Sequence, residues 1–177
     1  MPLMVENCSV FCIDASFHRP AIQEQGGHCM ITIRPYTPED EKPVADIWNY
    51  VVEEHDAFPQ TEPFRPHEAD AFFRKQTYTG VAADENNEIA GMYILHPNNV
   101  GHCGQYHQCQ LCRQTRYPGR HIGEALVKDC LTKAKEKGSA IMQFNAVVAT
   151  NASAIHLYEK LCFVRLGVIP KGYKKNA

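Results

Sequence analysis

A short glycine-containing segment has the residue types needed to bind a phosphate group. Gly119 and Gly123 flank Arg120, His121 and Ile122, and an amphipathic segment follows them. Glycines let the main chain approach a pyrophosphate, and the free N–H groups at a helix N-terminus point toward the anion. Arg120 and His121 would add donors or charge. Taken alone, these five residues are more simply interpreted as a tight turn before a helix.

A second segment places an asparagine and a tyrosine on one helical face. Asn151 begins a predicted helix that extends to Leu161, and its side chain can cap the first turn. Tyr158 follows seven residues later, so the two side chains share a face. On its own, Tyr158 is typical of an aromatic core residue.

Together, the two segments resemble the GCN5-related N-acetyltransferase (GNAT) superfamily. Residues 118–126, PGRHIGEAL, are similar to that family's acetyl-CoA loop, Arg/Gln-x-x-Gly-x-Gly/Ala. Residues 145–163 are similar to its Asn-x-x-Ala-x-x-Leu-Tyr-x-Lys-x-Gly-Phe segment. The resemblance implies acetyl-CoA as cosubstrate, bound by Gly119, Arg120, His121, Ile122, Gly123, Asn151 and Tyr158.

The resemblance also implies a direct transfer reaction. An amine attacks the thioester, a backbone N–H of the family's fourth strand stabilises the oxyanion, and Tyr158 protonates the CoA thiolate. We expect the acceptor to be the primary amine of a small molecule or an amino-acid-like compound. The loop after the first helix, with Glu54, His55, Asp56 and Phe58, is the candidate acceptor wall, and Glu54 or His55 is the candidate base.

Three residues depart from the family pattern. Pro118 stands where the family has Arg or Gln, and it removes a backbone N–H. His121 and Cys162 replace glycines, which suits them only where φ is negative. The family also continues into one more strand, so we expect the segment 163–169 to be unpaired on one side.

The segment 100–114, VGHCGQYHQCQLCRQ, corresponds to the family's fourth strand but has low β propensity. One alternative is a zinc-binding interaction module with four ligands: Cys103, His107, Cys109 and Cys112. Another is a set of reduced thiols. A third is that residues near 105–118 are translated out of frame. The possible codons for residues 105–119, read one base later, permit a sequence with strand character that ends in Arg-Gly, the residues with which the family's acetyl-CoA loop should begin. The third predicts a catalytically impaired protein that acetylates poorly.

The elements that position these residues follow from hydrophobic periodicity. Residues 31–35 alternate as a strand, and an apolar stripe marks a helix after Thr37. Its members are Val44, Ile47, Trp48 and Val51. A hairpin over 80–95 precedes the anomalous segment. This order of elements predicts a single α/β or α+β domain. The family resemblance further implies a mixed, mostly antiparallel sheet with helices on both faces and a splay between the fourth and fifth strands.

Residues 1–29 precede this pattern, and their apolar residues follow neither the helical nor the strand period. They lack the positive n-region and the apolar h-region of a secretory signal. We interpret them as a disordered or mis-translated leader with few contacts to the domain, which we assign to residues 30–177.

Composition narrows the functional class. The 177 residues are 44% hydrophobic and 21% charged, which excludes wholesale disorder. The net charge of -2 disfavours a generally basic nucleic-acid binder, and no apolar run is long enough to span a bilayer. We expect a cytoplasmic protein that acts on a small molecule without a nucleic-acid or membrane partner, with a homodimer left open.

Overall fold

One sheet dominates the computed structural model, which describes residues 4–15, 31–117 and 119–175. Within these residues the strands are β1 (Met4–Asp14), β2 (Thr32–Pro35), β3 (Tyr78–Ala83), β4 (Ile89–Pro97), β5 (Tyr106–Arg113), β6 (Ile141–Val148) and β7 (Val164–Lys175). The helices are α1 (Glu41–Glu54), α2 (Ala69–Lys75), α3 (Ile122–Glu136) and α4 (Ala152–Lys160). The strand order is β2-β3-β4-β5-β6-β1-β7, and only the β5–β6 pair is parallel. The predicted mixed, mostly antiparallel sheet is confirmed.

Helices cover both faces of this sheet, as predicted. The helices α3 and α4 bury Leu126 and Tyr158 in one apolar cluster, and α1 and α2 bury Trp48 and Phe73 in another. The predicted apolar face of α3 is buried at every position: Ile122, Leu126, Cys130 and Ala134. In α1 the buried residue of the last turn is Val52, whereas the predicted Val51 is only half-buried.

The sheet splays between β5 and β6. These are the fourth and fifth strands of the predicted order, which did not include β1, so the predicted splay lies where it was expected. The two strands pair only where Tyr106–Gln108 faces Ile141–Gln143. Just beyond that point, Asn145 Nδ2 donates to Asn98 Oδ1 over 2.8 Å and to Gln108 Oε1 over 2.9 Å. These amide contacts brace the point of divergence, and the strands separate beyond it.

The N-terminal strand β1 lies inside the sheet, between β6 and β7. It is antiparallel to both: Cys8 faces Val148 on one side and Ile169 on the other. The expectation that residues 1–29 make few contacts is therefore wrong for residues 4–15. Phe11, Ile13 and Ala15 are buried at alternate positions, and the neighbouring Val10 and Cys12 mask that alternation because they are also apolar. Residues 16–29 lie outside the described residues.

The edge strand β7 extends beyond the predicted 163–169. It pairs with β1 along its inner side, from Val164 opposite Cys12 to Lys175 opposite Met4. Its outer side has no partner strand among the described residues, as the sequence predicts.

The anomalous segment forms β5, which pairs with β4 from His107 to Arg113. Its side chains alternate, so Cys109 packs in the cluster beneath α3 and Cys112 in the cluster beneath α1. Two thiols on opposite faces cannot bind one zinc ion, and the described residues contain no cluster of three metal-ligating side chains. The zinc alternative is therefore wrong for this pair. The out-of-frame hypothesis concerns the nucleotide sequence and stays a hypothesis.

Candidate functional site

A cavity of about 580 Å³ opens where β5 and β6 diverge. Its walls are residues 109–113 of β5, residues 144–148 of β6, Gly119 and residues 121–124 around the start of α3, and α4. Residues 56–59, in the loop after α1, also line it. The two sequence segments that suggest phosphate and thioester chemistry, the glycine loop and the Asn151–Tyr158 helix, therefore lie in one cavity.

The glycine loop presents its main chain to this cavity. Gly119, His121, Ile122 and Gly123 all line it, and Gly119 has a φ of 73°. His121 is the residue before α3, so the unpaired N–H groups of the first helical turn follow it. A Cβ added at Gly123 would lie 3.3 Å from the Leu157 side chain, which shows how closely α3 approaches α4. This arrangement offers an anion a row of backbone donors.

The Arg120 side chain does not take the predicted part in this loop. It is absent from the cavity lining, and its guanidinium carbon lies 5.0 Å from the centre of the Tyr117 ring. One guanidinium nitrogen is buried without a hydrogen-bond partner among the described residues. The predicted side-chain role of Arg120 is therefore not supported by its position, whereas Pro118 lies outside the residues that the structure describes.

A partly buried carboxylate links the two helices beside the loop. Glu124 lines the cavity and accepts from Lys128 over 2.8 Å and from Lys160 over 2.6 Å. Burial would raise the pKa of Glu124, but the hydrogen bonds from both lysines outweigh it and lower the pKa. The carboxylate is charged but paired, which reduces its repulsion of a bound anion and fixes α3 against α4.

Tyr158 is buried and lines the cavity. Its ring stacks on Phe144 with centroids 3.9 Å apart and lies 5.6 Å from the Phe11 ring of β1. Burial raises the pKa of the Tyr158 phenol, so the group holds its proton at neutral pH. Asn151 lines the same cavity and caps α4 as predicted, because its Oδ1 accepts from the Ala154 N–H over 3.1 Å.

The loop after α1 brings two of the four predicted acceptor-wall residues to the cavity. Asp56 and Phe58 line it, but Glu54 is exposed at the end of α1 and outside the lining. His55 ends the helix with a φ of 51°, and this left-handed residue redirects the chain between the two carboxylates. The assignment of Glu54 as base is corrected by its position, and Asp56 is the acidic residue of this loop that the cavity contains.

Sequence reasoning missed three residues that hold this loop in place. The Tyr173 hydroxyl of β7 donates to the Phe58 carbonyl over 2.8 Å, in a buried contact. Gln60 Nε2 donates to Gln110 Oε1 of β5 over 3.3 Å. Each contact joins residues far apart in the chain, and no local pattern in the sequence indicates either of them.

The two residues that stand where the family pattern has glycine both adopt a left-handed backbone conformation. His121 has a φ of 49° and Cys162 a φ of 67°, so the condition of negative φ is not met. Cys162 follows α4 in a Schellman turn: its N–H bonds to the Glu159 carbonyl over 3.0 Å and that of Phe163 to Tyr158 over 2.9 Å. Glycine is favoured at such positions because it has no Cβ.

Cys162→Gly is expected to raise the free energy of unfolding by about 1 kcal/mol, because it relieves a left-handed L-residue at some cost in unfolded-chain entropy. For a chain of this length the melting temperature should rise by about 3 °C. Cys162→Ala is the control, since alanine keeps the Cβ and should give no such gain. Urea unfolding curves measure both; equal stabilisation by alanine would trace the effect to the thiol rather than to the backbone.

Comparisons with known proteins identify the family and the fold of this chain. Residues 44–163 match the acetyltransferase (GNAT) family. The N-acetyltransferase aca1 of Schizosaccharomyces pombe is 27% identical over 137 residues, a match that spans 68% of this chain and 66%, just under two thirds, of that protein.

Solved structures share the fold. A GCN5-related N-acetyltransferase from Kribbella flavida superposes with a TM-score of 0.74 at 24% identity, covering 81% of this chain and 88% of the other. A phosphinothricin acetyltransferase from Sinorhizobium meliloti, solved in complex with acetyl-CoA, gives 0.68 at 19% identity and covers 74% and 73%.

Proposed function

The chain belongs to the acetyltransferase (GNAT) family, and from that membership we propose that it transfers the acetyl group of acetyl-CoA to a primary amine of a small molecule. One observation carries this proposal: the glycine loop, Asn151 and Tyr158 line a single cavity between two diverging strands. None of the helices in the described parts of the chain is long and apolar enough to cross a membrane. The cytoplasmic location and the homodimer stay predictions.

The main chain supplies most of the groups that would bind the cosubstrate. The backbone N–H groups of residues 119–123 suit the pyrophosphate, because they lie just before and within the first turn of α3, at the positive end of its dipole. Beyond Gln108, β5 makes no ladder bonds to β6 among the described residues, so its backbone groups on that side can bond the pantetheine arm. Because these contacts come from the main chain, this binding mode does not require the Arg120 side chain, which is outside the cavity lining, or a glycine at position 121.

The proposed reaction is a direct attack. The unprotonated amine attacks the thioester carbonyl carbon and forms the C–N bond, while a backbone N–H of β5 stabilises the oxyanion. The C–S bond then breaks, and Tyr158 donates its phenolic proton to the leaving sulfur. Asp56, in the loop after α1, is the carboxylate available to accept the proton of the amine.

Acetyl-CoA at a hundred times its dissociation constant should stabilise the protein by about 2.7 kcal/mol, which raises the melting temperature by roughly 5 to 10 °C. Gly123→Val is expected to abolish most of this shift, because its side chain would crowd Leu157 and project where the phosphate approaches the first turn of α3. Thermal unfolding with and without acetyl-CoA measures the effect.

Ala125→Val is the matched control, since Ala125 lies in the same helix but outside the cavity lining. Its ligand-induced shift should equal that of the unmodified protein. No shift in the unmodified protein would overturn the cosubstrate assignment. A normal shift without transfer to any member of a broad amine panel would instead support the catalytically impaired alternative.

A further inference from the structure

The cavity has walls on both faces of the sheet. On one face, the α3 side, Phe144 and Tyr158 line it from the apolar cluster beneath α3 and α4. On the other face, the α1 side, Phe58 and Cys112 line it from the cluster beneath α1 and α2. The glycine loop and Asn151 stand at the starts of α3 and α4, so the groups proposed for the cosubstrate lie on the α3 side. The α1 side is the part of the cavity left for the acceptor.

Among the described residues, the basic side chains of the lining belong to the α3 side. A Cβ built on Gly91 of β4 would lie 3.1 Å from a Leu126 methyl carbon of α3 and 3.2 Å from the Arg113 Cβ, so Arg113 projects toward α3. The other basic side chains come from α4 and from the residue before α3: His156, Lys160 and His121. Positive charge on this side suits the phosphates of the cosubstrate.

The α1 side is mainly apolar. Its lining comes from the end of α1 and the loop after it: Tyr50, Val51, Ala57, Phe58 and Pro59. Phe58 is buried and fixed against Trp48, with ring centroids 4.5 Å apart. The Tyr50 side chain is 50% exposed, so part of its ring is available to a ligand in the cavity. Aromatic walls of this kind bind the apolar part of a small molecule.

Two polar side chains interrupt this apolar wall. Gln110 is buried, and its Oε1 accepts from Gln60 over 3.3 Å, so that oxygen is already engaged. Asp56 is the one charged side chain that the described residues contribute to the α1 side, and it forms no ion pair with them. Burial and the neighbouring Asp56 carboxylate raise the pKa of the Tyr173 phenol, whose hydroxyl bonds to the Phe58 carbonyl. The carboxylate therefore lies beside the apolar wall and lacks a counter-charge, which suits an ammonium group.

We propose that the acceptor is a primary amine with an apolar, uncharged body, an arylalkylamine or a longer alkylamine, whose nitrogen lies beside Asp56 while its body packs on Tyr50 and Phe58. This inference rests on the proposed function and specifies its substrate class. An amino acid fits less well, because its carboxylate would share the α1 side with Asp56, where the described lining has no basic side chain to bind it.

Three acceptors of related structure test the selectivity. Phenylalanine adds a carboxylate to phenethylamine, and ethylamine lacks its ring. The unmodified protein should acetylate phenethylamine with a kcat/KM about tenfold or more above that of either relative. Tyr50→Ala should lower the ratio of phenethylamine to ethylamine by about fivefold to tenfold, because an aromatic contact is lost, and Tyr50→Phe should keep the ratio. Asp56→Asn should lower the ratio of phenethylamine to phenylalanine.

Glu53→Ala is the matched control, since Glu53 is exposed on the same helix but outside the cavity lining. It should leave both ratios unchanged. A kcat/KM for phenylalanine or ethylamine that equals or exceeds that of phenethylamine would overturn the inference. Equal effects of the Glu53 and Tyr50 variants would do the same.

A binding measurement separates failure of this inference from failure of the proposed function. Calorimetric titration of each acceptor into the protein saturated with CoA requires no turnover. If phenethylamine binds more tightly than both relatives, and Asp56→Asn narrows its advantage over phenylalanine, the acceptor site stands even where acetyl transfer is absent. If binding shows no such preference, the assignment of the substrate class is wrong whatever the activity.

Discussion

Phe11→Ala is expected to lower the free energy of unfolding by about 3–5 kcal/mol, the usual cost of removing a fully buried phenylalanine ring. Phe11 is 0% exposed, and its ring lies beside Tyr158 and beneath the guanidinium of Arg165. A loss of this size would remove a large share of the stability of an ordinary domain. Urea unfolding followed by the fluorescence of Trp48, the single tryptophan, measures it.

Val5→Ala is the matched control on the same strand, because Val5 is 41% exposed. Its effect should stay within about 0.5 kcal/mol. Deleting residues 1–15 should destabilise the protein at least as much as Phe11→Ala. An unchanged melting temperature after that deletion would restore the interpretation of this segment as a leader without contacts.

Tyr158→Phe is expected to lower kcat by about 10²- to 10⁴-fold, the range that a positioned general acid contributes. The phenylalanine ring keeps the stacking on Phe144, so the unfolding free energy should change little. The KM for acetyl-CoA should also change little, because the proton reaches sulfur only as the C–S bond breaks. Steady-state kinetics with saturating acceptor give both constants.

Tyr117→Phe supplies the comparison for a second tyrosine that lines the same cavity. The Tyr117 hydroxyl donates to Asp84 over 3.1 Å, away from the cavity centre, so its loss should leave kcat nearly unchanged. Equal losses in the two variants, or a loss confined to KM, would contradict the role of Tyr158 as general acid.

The sheet arrangement and its splay were implied by the family resemblance, whereas the features that the residues predicted by themselves are local ones. The Asn151 cap depends on an N–H three residues later, and the buried face of α3 depends on contacts at helical spacing. The glycine loop and the Tyr158 helix were recognisable because their residue order resembles a family pattern. In each case, the information lies within a short stretch of chain.

The features that sequence did not predict depend on contacts between distant parts of the chain or on single backbone and side-chain torsion angles. The partners of β1 lie in β6 and β7, and period-two alternation is hidden where both faces of a strand are apolar. Whether Glu54 or Asp56 reaches the cavity depends on the left-handed turn at His55. The turn of Arg120 toward Tyr117 likewise depends on a side-chain conformation that residue spacing does not fix.

The position of β1 also determines when the sheet can close. Among the described strands, β1 is synthesised before all the others, whereas its partners β6 and β7 are synthesised after them. Strands so far apart in sequence pair slowly, because the entropic cost of closing a long loop comes before any stabilising contact is made. Residues 4–15 therefore emerge as an unpaired apolar strand and stay exposed to misassembly until β7 has been made.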